Sequence, residues 1–298
     1  MSIDAVLGGL LVRQLDHWLP GALHRSRRAT LALAYAGDPG TAEAALRVVA
    51  GFADRLRGCR LTVLVLADGG PELPARLGVV EAGLPGDVAV HVVPGGPTRL
   101  PVVLKAAGAA GAPLLTLVDG AAPEPALLAA TTTGRPAEVL LTTTATTLRP
   151  ALTAAGFPLV TEVELVPADG TPARLVAFGT GLDKSLEAFK EALWASEADV
   201  ESAVRHRDPA GGLLDVVADP PTGPLRDALL AELTRHGPRT VTELRRHTLT
   251  ATAYRAGDAG RALTELLDAG AVTRDPEHGR LGGDVLIIGP APAARSTA

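Results

Sequence analysis

The chain has 298 residues, of which 47% are apolar and 3% are aromatic, and its formal net charge is −5. This length favours two domains, and the composition favours a core of Ala, Leu and Val, as in a buried parallel sheet flanked by helices. The charge argues against a chain that is basic throughout, but it leaves room for a small nucleic-acid-binding face. A single cysteine, Cys59, excludes an internal disulfide framework and a multi-cysteine metal site.

Residues 4 to 19 place apolar side chains at near-helical spacing and predict a leading helix, which Pro20 is expected to end. His17 and His24 lie on or beside this helix with no further ligand nearby in the sequence, so no metal site is predicted. No run of about 20 apolar residues is free of charges and turn signals, and no basic leader precedes the first apolar segment. We therefore expect a bacterial-type cytoplasmic location and no membrane partner.

Short apolar runs then alternate with helical patterns rich in Ala and Leu. The runs are TLALAY, LTVLVLA, VAVHVV, PLLTLV and AEVLLTT. This alternation is typical of βα units and a parallel sheet. Two further alternating runs, TEVELV and ARLVAFGT, are joined through Asp169 and Gly170, a turn-forming pair that predicts an antiparallel hairpin. The predicted fold class is therefore α/β, with a Rossmann-like sheet of the methyltransferase type that ends in an antiparallel hairpin.

The pattern also predicts three regions along the chain. Residues 1–205 form the methyltransferase-like Rossmann domain, and residues 206–222, which are rich in Pro and Gly, form a linker. Residues 223–298 contain three helix-sized patterns followed by a terminal hairpin, which predicts a winged helix-turn-helix domain. Gly270 is well placed to cap the last of these helices before the first strand of the wing.

These segments, in this order, resemble the three-Cys-motif partner protein family. The resemblance covers nearly the whole chain and is carried by QLDHWLPGAL, LALAYAGDPG, PLLTLVDGAAPE, AEVLLTTT and LVAFGTGLDKSLEAFKEALWASE. It implies a methyltransferase-like Rossmann domain joined to a C-terminal winged helix, S-adenosylmethionine as the cofactor of the fold, and a radical-enzyme protein as a partner.

The glycine turn after the first strand departs from the pattern that the resemblance implies. If Tyr35, Ala36 and Gly37 stand for the family's Phe-Ala-Gly, its first-strand acid falls on Leu33 and Asp38 is an insertion. A leucine cannot accept hydrogen bonds from the ammonium group of S-adenosylmethionine. The cofactor-binding candidates are Gly37 and Gly40 in the turn, together with Asp68.

Asp68 follows the second strand, where an acid would accept the two hydrogen bonds of a ribose diol. An Asp that opens a Gly-Gly turn is equally well explained by turn formation. Both interpretations of Asp68 stay open.

Asp119, at the end of the fourth strand, is the candidate catalytic residue, but Gly120 and two alanines replace the family's Pro-Phe-Gly after it. The ring that would stack on a base is therefore missing. We expect a degenerate, non-catalytic protein without a cofactor, acting as a binding or scaffold module. The alternative is an active S-adenosylmethionine-dependent methyltransferase acting on a nucleic acid or nucleotide-like substrate. Motifs of hydrolases, such as Gly-x-Ser-x-Gly, are missing from the sequence.

The predicted winged helix has a weak positive charge, with ten Arg against nine acidic residues over residues 221–298. Several of its arginines nevertheless fall around the turn, the third helix and the wing, where phosphates would be contacted. These candidate nucleic-acid-binding residues are Arg245, Arg246, Arg255, Arg261 and Arg280. The alternative is that the domain packs on a protein partner.

Overall fold

A computed structural model describes residues 3–37, 39–68, 70, 72–120, 123–198 and 204–289 of the chain. The chain divides into two compact units, Met1–Arg205 and His206–Ala298. Within the described residues, no helix is both long enough and apolar enough to cross a bilayer.

The first unit alternates strands and helices. Its strands are β1 (Arg28–Tyr35), β2 (Arg60–Ala67), β3 (Val88–Pro94), β4 (Leu114–Asp119), β5 (Ala137–Thr143), β6 (Leu159–Pro167) and β7 (Arg174–Thr180). Its helices are α1 (Ile3–Arg25), α2 (Thr41–Gly51), α3 (Ala53–Leu56), α4 (Glu72–Glu81), α5 (Leu100–Ala106), α6 (Pro125–Thr131), α7 (Arg149–Ala155) and α8 (Asp183–Ala198). A short 3₁₀ helix, Pro97–Arg99, precedes α5.

These seven strands stand in the order β3-β2-β1-β4-β5-β7-β6. Strands β1 to β5 are parallel to one another, and β7 runs antiparallel between β5 and β6. The predicted α/β class is confirmed, and the large mixed sheet is consistent with a Rossmann-like fold. The predicted hairpin is confirmed as well, because β6 pairs with β7 and Gly170 has a φ of 80°, a left-handed conformation that suits glycine.

Helices cover both faces of this sheet, which explains why its strands are almost continuously apolar. Successive strand residues point to opposite faces. One face, including Ala32 and Ala34, packs on α5, α6 and α7 through residues such as Leu104 and Leu152. Helix α1 packs against α2 and α8. Trp18 and Trp194, on α1 and α8, are buried in the core.

The prediction that Pro20 ends the leading helix is wrong. Helix α1 continues through Pro20 to Arg25. Proline removes one backbone hydrogen bond and usually kinks or ends a helix. In this helix the residues on either side of it, Leu19 and Ala22, are buried, and this packing supports the continued helix.

The second unit contains three further helices and short strands. The strands are β8 (Val204–Arg207), which begins just before the unit boundary, β9 (Leu213–Asp215), β10 (Arg239–Thr240), β11 (Thr273–Asp275) and β12 (Leu286–Ile288). The helices are α9 (Gly223–His236), α10 (Val241–Ala251) and α11 (Ala256–Asp268). Strands β10, β12 and β11 form an antiparallel three-stranded sheet in that order. Gly270 follows α11 with a φ of 67°, as predicted for a helix cap.

The segment that the sequence marks as a linker, 206–222, is only partly irregular. Strand β9 lies within it, and the turn before β9 is built on Asp208, whose Oδ1 accepts hydrogen bonds from the backbone N–H groups of Ala210 and Gly212 at 3.0 and 2.8 Å. This is the turn chemistry that Asp commonly provides. Composition alone indicated the turn residues but not the strand.

Candidate functional site

Three polar side chains meet at the carboxyl edge of the parallel strands in the first unit. Tyr35 of β1 pairs in register with Asp119 of β4, and Asp119 pairs with Thr142 of β5. Tyr35 and Asp119 end their strands and Thr142 is the last residue but one of β5, so the three form one row along the edge where α/β sheets commonly bind ligands. The sequence placed Asp119 at this edge, and the structure brings Tyr35 and Thr142 beside it.

The carboxylate of Asp119 is held by two donors that both reach the same oxygen. The guanidinium of Arg174 donates to Oδ1 at 2.6 Å, and the hydroxyl of Thr142 donates to Oδ1 as well. Both ionic partners are partly buried, with 22% of the Arg174 side chain and 28% of the Asp119 side chain exposed. Among the described residues, no hydrogen bond or ion pair reaches Oδ2 of Asp119. The charge of the candidate catalytic acid is therefore balanced within the site.

Arg174 reaches this row because β7 runs against its neighbours. In the β5–β7 ladder Thr143 pairs with Leu175, so Arg174 stands at the start of β7, at the edge where the parallel strands finish. Its Nε is buried and forms no hydrogen bond within the described part of the chain. Sequence reasoning missed this residue. The turn-forming pair Asp169-Gly170 could have indicated Arg174, because a hairpin at this turn places the first residue of the returning strand at the carboxyl edge.

Tyr35, Asp119 and Thr142 line an open cleft of about 680 Å³. The cleft is lined by Asp4, Ala5, Leu7, Tyr35, Ala36, Gly37, Gly40, Thr41, Leu117, Asp119, Gly120, Leu140, Thr142, Thr144 and Arg174. A neighbouring hollow of about 530 Å³ shares Asp4, Thr144 and Arg174 with it. The predicted residues Gly37, Gly40 and Asp119 therefore lie together in one cleft, and Asp4 at the start of α1 joins them without any sequence signal.

The glycine turn is tied to the helix that follows it. The hydroxyls of Tyr35 and Thr41 are hydrogen-bonded at 2.7 Å, which joins the end of β1 to the first residue of α2. Leu33 is fully buried and pairs in register with Val65 and Leu117 inside the sheet. Tyr35, rather than Leu33, is the β1 side chain at the cleft.

Asp68 does not join this group. It follows β2 as an exposed residue and is not among the residues that line the cleft. The proposed ribose-binding acid is thus not among the residues that line the cleft with Gly37, Gly40 and Asp119. The inserted Asp38 lies outside the described residues.

A second carboxylate, which is buried, lies near the start of β5, where it is hydrogen-bonded to residues of α1 and α8. Glu138 of β5 accepts hydrogen bonds from the Ser185 hydroxyl at 2.7 Å and from Gln14 Nε2 at 3.4 Å, and it is 1% exposed. Burial raises the pKa of this carboxyl, against the smaller opposing effects of the two hydrogen bonds and of the charge of Arg25. Glu138 is a structural group that joins two helices to the sheet.

In the second unit, two of the predicted nucleic-acid-binding residues surround one buried acid. The Arg255 Nε donates to Asp258 Oδ2 at 3.1 Å, and Arg261 Nη2 donates to Asp258 Oδ1 at 2.9 Å. Burial raises the pKa of Asp258, but the hydrogen bonds and charges of the arginines outweigh it and leave the pKa lowered. The same guanidinium groups donate to the carbonyl oxygens of Ala218 and Pro220. Arg255 and Arg261 therefore fix the segment before α9.

The other predicted arginines are more dispersed. Arg245 and Arg246 lie on α10, where Arg246 is exposed and Arg245 is half-buried with its Nε hydrogen-bonded to no group of the described chain. Arg280 is exposed between β11 and β12. Arg274 donates to the carbonyl oxygens of Pro276, His278 and Arg280 and so shapes this hairpin.

No group of three or more His, Cys, Asp or Glu side chains within the described residues could hold a metal ion. A scan of the chain against protein-family models gives no match, and a search of curated proteins finds no significant match. The resemblance to the three-Cys-motif partner proteins therefore rests on the sequence motifs alone.

Proposed function

We propose that the chain is a degenerate, non-catalytic methyltransferase-like protein whose first unit serves as a binding module. Five parallel strands followed by an antiparallel hairpin are the arrangement of Rossmann-like methyltransferases, and the strand order of the first unit supports this assignment. The motif resemblance supports it independently.

The observation that carries the proposal is the internal pairing of Asp119. Its Oδ1 is taken by Arg174 and Thr142, so the acid best placed in the cleft is already balanced by a cation. Leu33 offers no second acid because it is apolar and buried. An ammonium group such as that of S-adenosylmethionine would meet in Asp119 a carboxylate that is already paired with a guanidinium, which weakens the attraction that would offset its loss of hydrogen bonds to water.

Titration calorimetry of the full chain with S-adenosylmethionine tests the absence of cofactor binding. We expect no heat of binding at millimolar cofactor and no rise in Tm. A measurable heat that is lost in Asp119→Asn would contradict the proposal and would instead support an active enzyme. Asp183→Asn, which removes an acid from the first turn of α8 and outside the lining of the cleft, is the matched control.

The second candidate is an active S-adenosylmethionine-dependent methyltransferase acting on a nucleic acid or nucleotide-like substrate. The open cleft at the carboxyl ends of β1 and β4, lined by Gly37, Gly40 and Asp119, favours it. Methyl transfer depends mainly on positioning donor and acceptor, so it does not require many catalytic groups. Transfer of a labelled methyl group from the cofactor to RNA or DNA would distinguish this candidate from the first.

For the second unit we propose a winged helix-turn-helix that recognises a nucleic acid or a protein. Three helices and the β10-β12-β11 sheet support this assignment. Phosphate contact is proposed for Arg245, Arg246 and Arg280, since the donors of Arg255 and Arg261 are largely engaged within the unit. A radical-enzyme partner is implied by the family resemblance.

A further inference from the structure

A groove of about 720 Å³ lies between the C-terminal half of α11 and the hairpin of β11 and β12. Helix α11 contributes Thr264, Leu267 and Asp268, and the hairpin contributes Glu277 and Leu281 among its lining residues. In a winged helix these two elements, the third helix and the wing, are the ones that face a partner. The charge of the residues that line the groove therefore indicates which class of partner it can bind.

The groove is acidic. Its lining holds two acidic residues, Asp268 and Glu277, against one Arg, a formal charge of −1. Residues 255–289 hold six acidic residues against four Arg, whereas residues 232–251 around α10 hold four Arg against two Glu. The basic residue that lines the groove, Arg274, is engaged with three carbonyl oxygens of its own hairpin. A phosphate backbone would meet the carboxylates of Asp268 and Glu277 inside the groove and would be repelled there, so a phosphate contact of Arg280, which does not line the groove, would lie outside it.

Asp268 and Glu277 are exposed, and within the described chain neither carboxylate forms a hydrogen bond or an ion pair. Asp268 is also the last residue of α11, where a negative charge lies at the negative end of the helix dipole. Its position is therefore unfavourable for the stability of the helix.

We propose that this groove binds a segment of a partner protein that carries basic side chains beside an apolar one. Lys or Arg side chains of the segment would pair with Asp268 and Glu277, and an apolar side chain would lie against Leu267 and Leu281. Complementary charge of this kind increases the rate of association and selects the partner. The inference deepens the proposed recognition role of the second unit and rests on that part of the proposed function, but not on the state of the cofactor cleft.

Fluorescence anisotropy of the full chain tests the proposal with three labelled probes. These are the basic peptide KAKLKAKLKA, its acidic counterpart EAELEAELEA and a 20-base-pair DNA duplex. We expect the basic peptide to bind, the acidic peptide not to bind, and the duplex not to displace the basic peptide. In Asp268→Lys combined with Glu277→Lys, the Kd for the basic peptide should rise about tenfold or more.

The control variant combines Asp215→Lys with Asp227→Lys, which makes the same change in charge at exposed positions of the second unit outside the groove. Its Kd should stay within about twofold of the unsubstituted chain. Equal weakening in both variants, or no binding of the basic peptide, would overturn the proposal. Displacement by the duplex, with tighter duplex binding in the groove variant, would assign the groove to nucleic acid instead. None of these outcomes depends on the calorimetry with S-adenosylmethionine, so the two proposals fail separately.

Discussion

At the scale of single residues, Glu138 shows how the first unit accommodates a carboxylate in its core. Gln14 of α1 and Ser185 of α8 both donate to it, so a charged group of β5 holds two helices that also pack on each other. Burial disfavours the charged form and raises its pKa. A carboxyl with a raised pKa in the folded state lowers stability as pH rises from the unfolded pKa through the folded one.

We therefore expect Glu138→Gln to gain free energy of unfolding relative to the unsubstituted chain as pH rises above the ordinary carboxyl value of 4.5. Glutamine keeps hydrogen-bonding groups at this position and removes the buried charge. Urea denaturation followed by tryptophan fluorescence reports on the right region, since Trp18 and Trp194 lie on α1 and α8. The exposed Glu187→Gln on α8 is the control and should show no such pH trend. A constant difference between Glu138→Gln and the unsubstituted chain at all pH values would refute this account.

The residues of the cleft show what the sequence could and could not reveal. Apolar runs predicted where β1 and β4 end, and this placed Gly37, Gly40 and Asp119 at one sheet edge. The Asp169-Gly170 turn indicated that the residue opening the returning strand lies at this edge, but the contact of Arg174 with Asp119 depends on the register between β5 and β7, which the alternating pattern does not fix. Asp68 followed its strand as expected, but strand order alone does not determine whether a loop residue faces a cleft.

At the scale of secondary structure elements, the start of α11 depends on a contact that sequence patterns did not indicate. Asp258 was not singled out, whereas Arg255 and Arg261 were assigned to phosphate contact. The structure shows both arginines donating to Asp258, and the Arg255 backbone N–H donates to the same side chain at 2.9 Å. The sequence alone therefore does not show whether arginines near an aspartate bind that aspartate or an external phosphate. The three-dimensional contacts are needed to decide.

We expect Asp258→Asn to destabilise α11 by about 1.5 kcal/mol, because a buried acceptor of charge-assisted hydrogen bonds is lost. This corresponds to about a tenfold faster amide hydrogen exchange in residues 256–268, measured by mass spectrometry. The lowered pKa of Asp258 means that its stabilisation is present above about pH 4 and is lost below it.

Asp219→Asn is the matched control for this prediction. Asp219 pairs with Arg261 at 3.5 Å, but 86% of its side chain is exposed, so the change should cost less than about 0.5 kcal/mol. If Asp258→Asn and Asp219→Asn had the same effect on exchange, burial would not be the reason for the strength of the Asp258 contacts.

At the scale of the whole molecule, charge is distributed unevenly although the formal net charge is only −5. Within the second unit, the region around α10 is basic and the region of α11 and the following hairpin is acidic. A nucleic acid would therefore contact the α10 side through Arg245 and Arg246, whereas a basic protein segment would bind the groove beside α11. The α10 surface is tested by changing Arg245 and Arg246, and the groove is tested by changing Asp268 and Glu277.

The test for nucleic acid is the salt dependence of binding to a 20-base-pair duplex, measured as log K against log salt concentration. Changing Arg245 and Arg246 together to Ala should weaken binding and reduce the magnitude of the slope by about 2, because each lost phosphate contact releases about one counterion fewer. The control changes Arg55 and Arg57 together to Ala, since both are exposed residues of the first unit. It alters the net charge equally and should leave the slope unchanged. An unchanged slope in the α10 variant would exclude Arg245 and Arg246 from nucleic-acid contact and leave protein recognition as the role of the second unit.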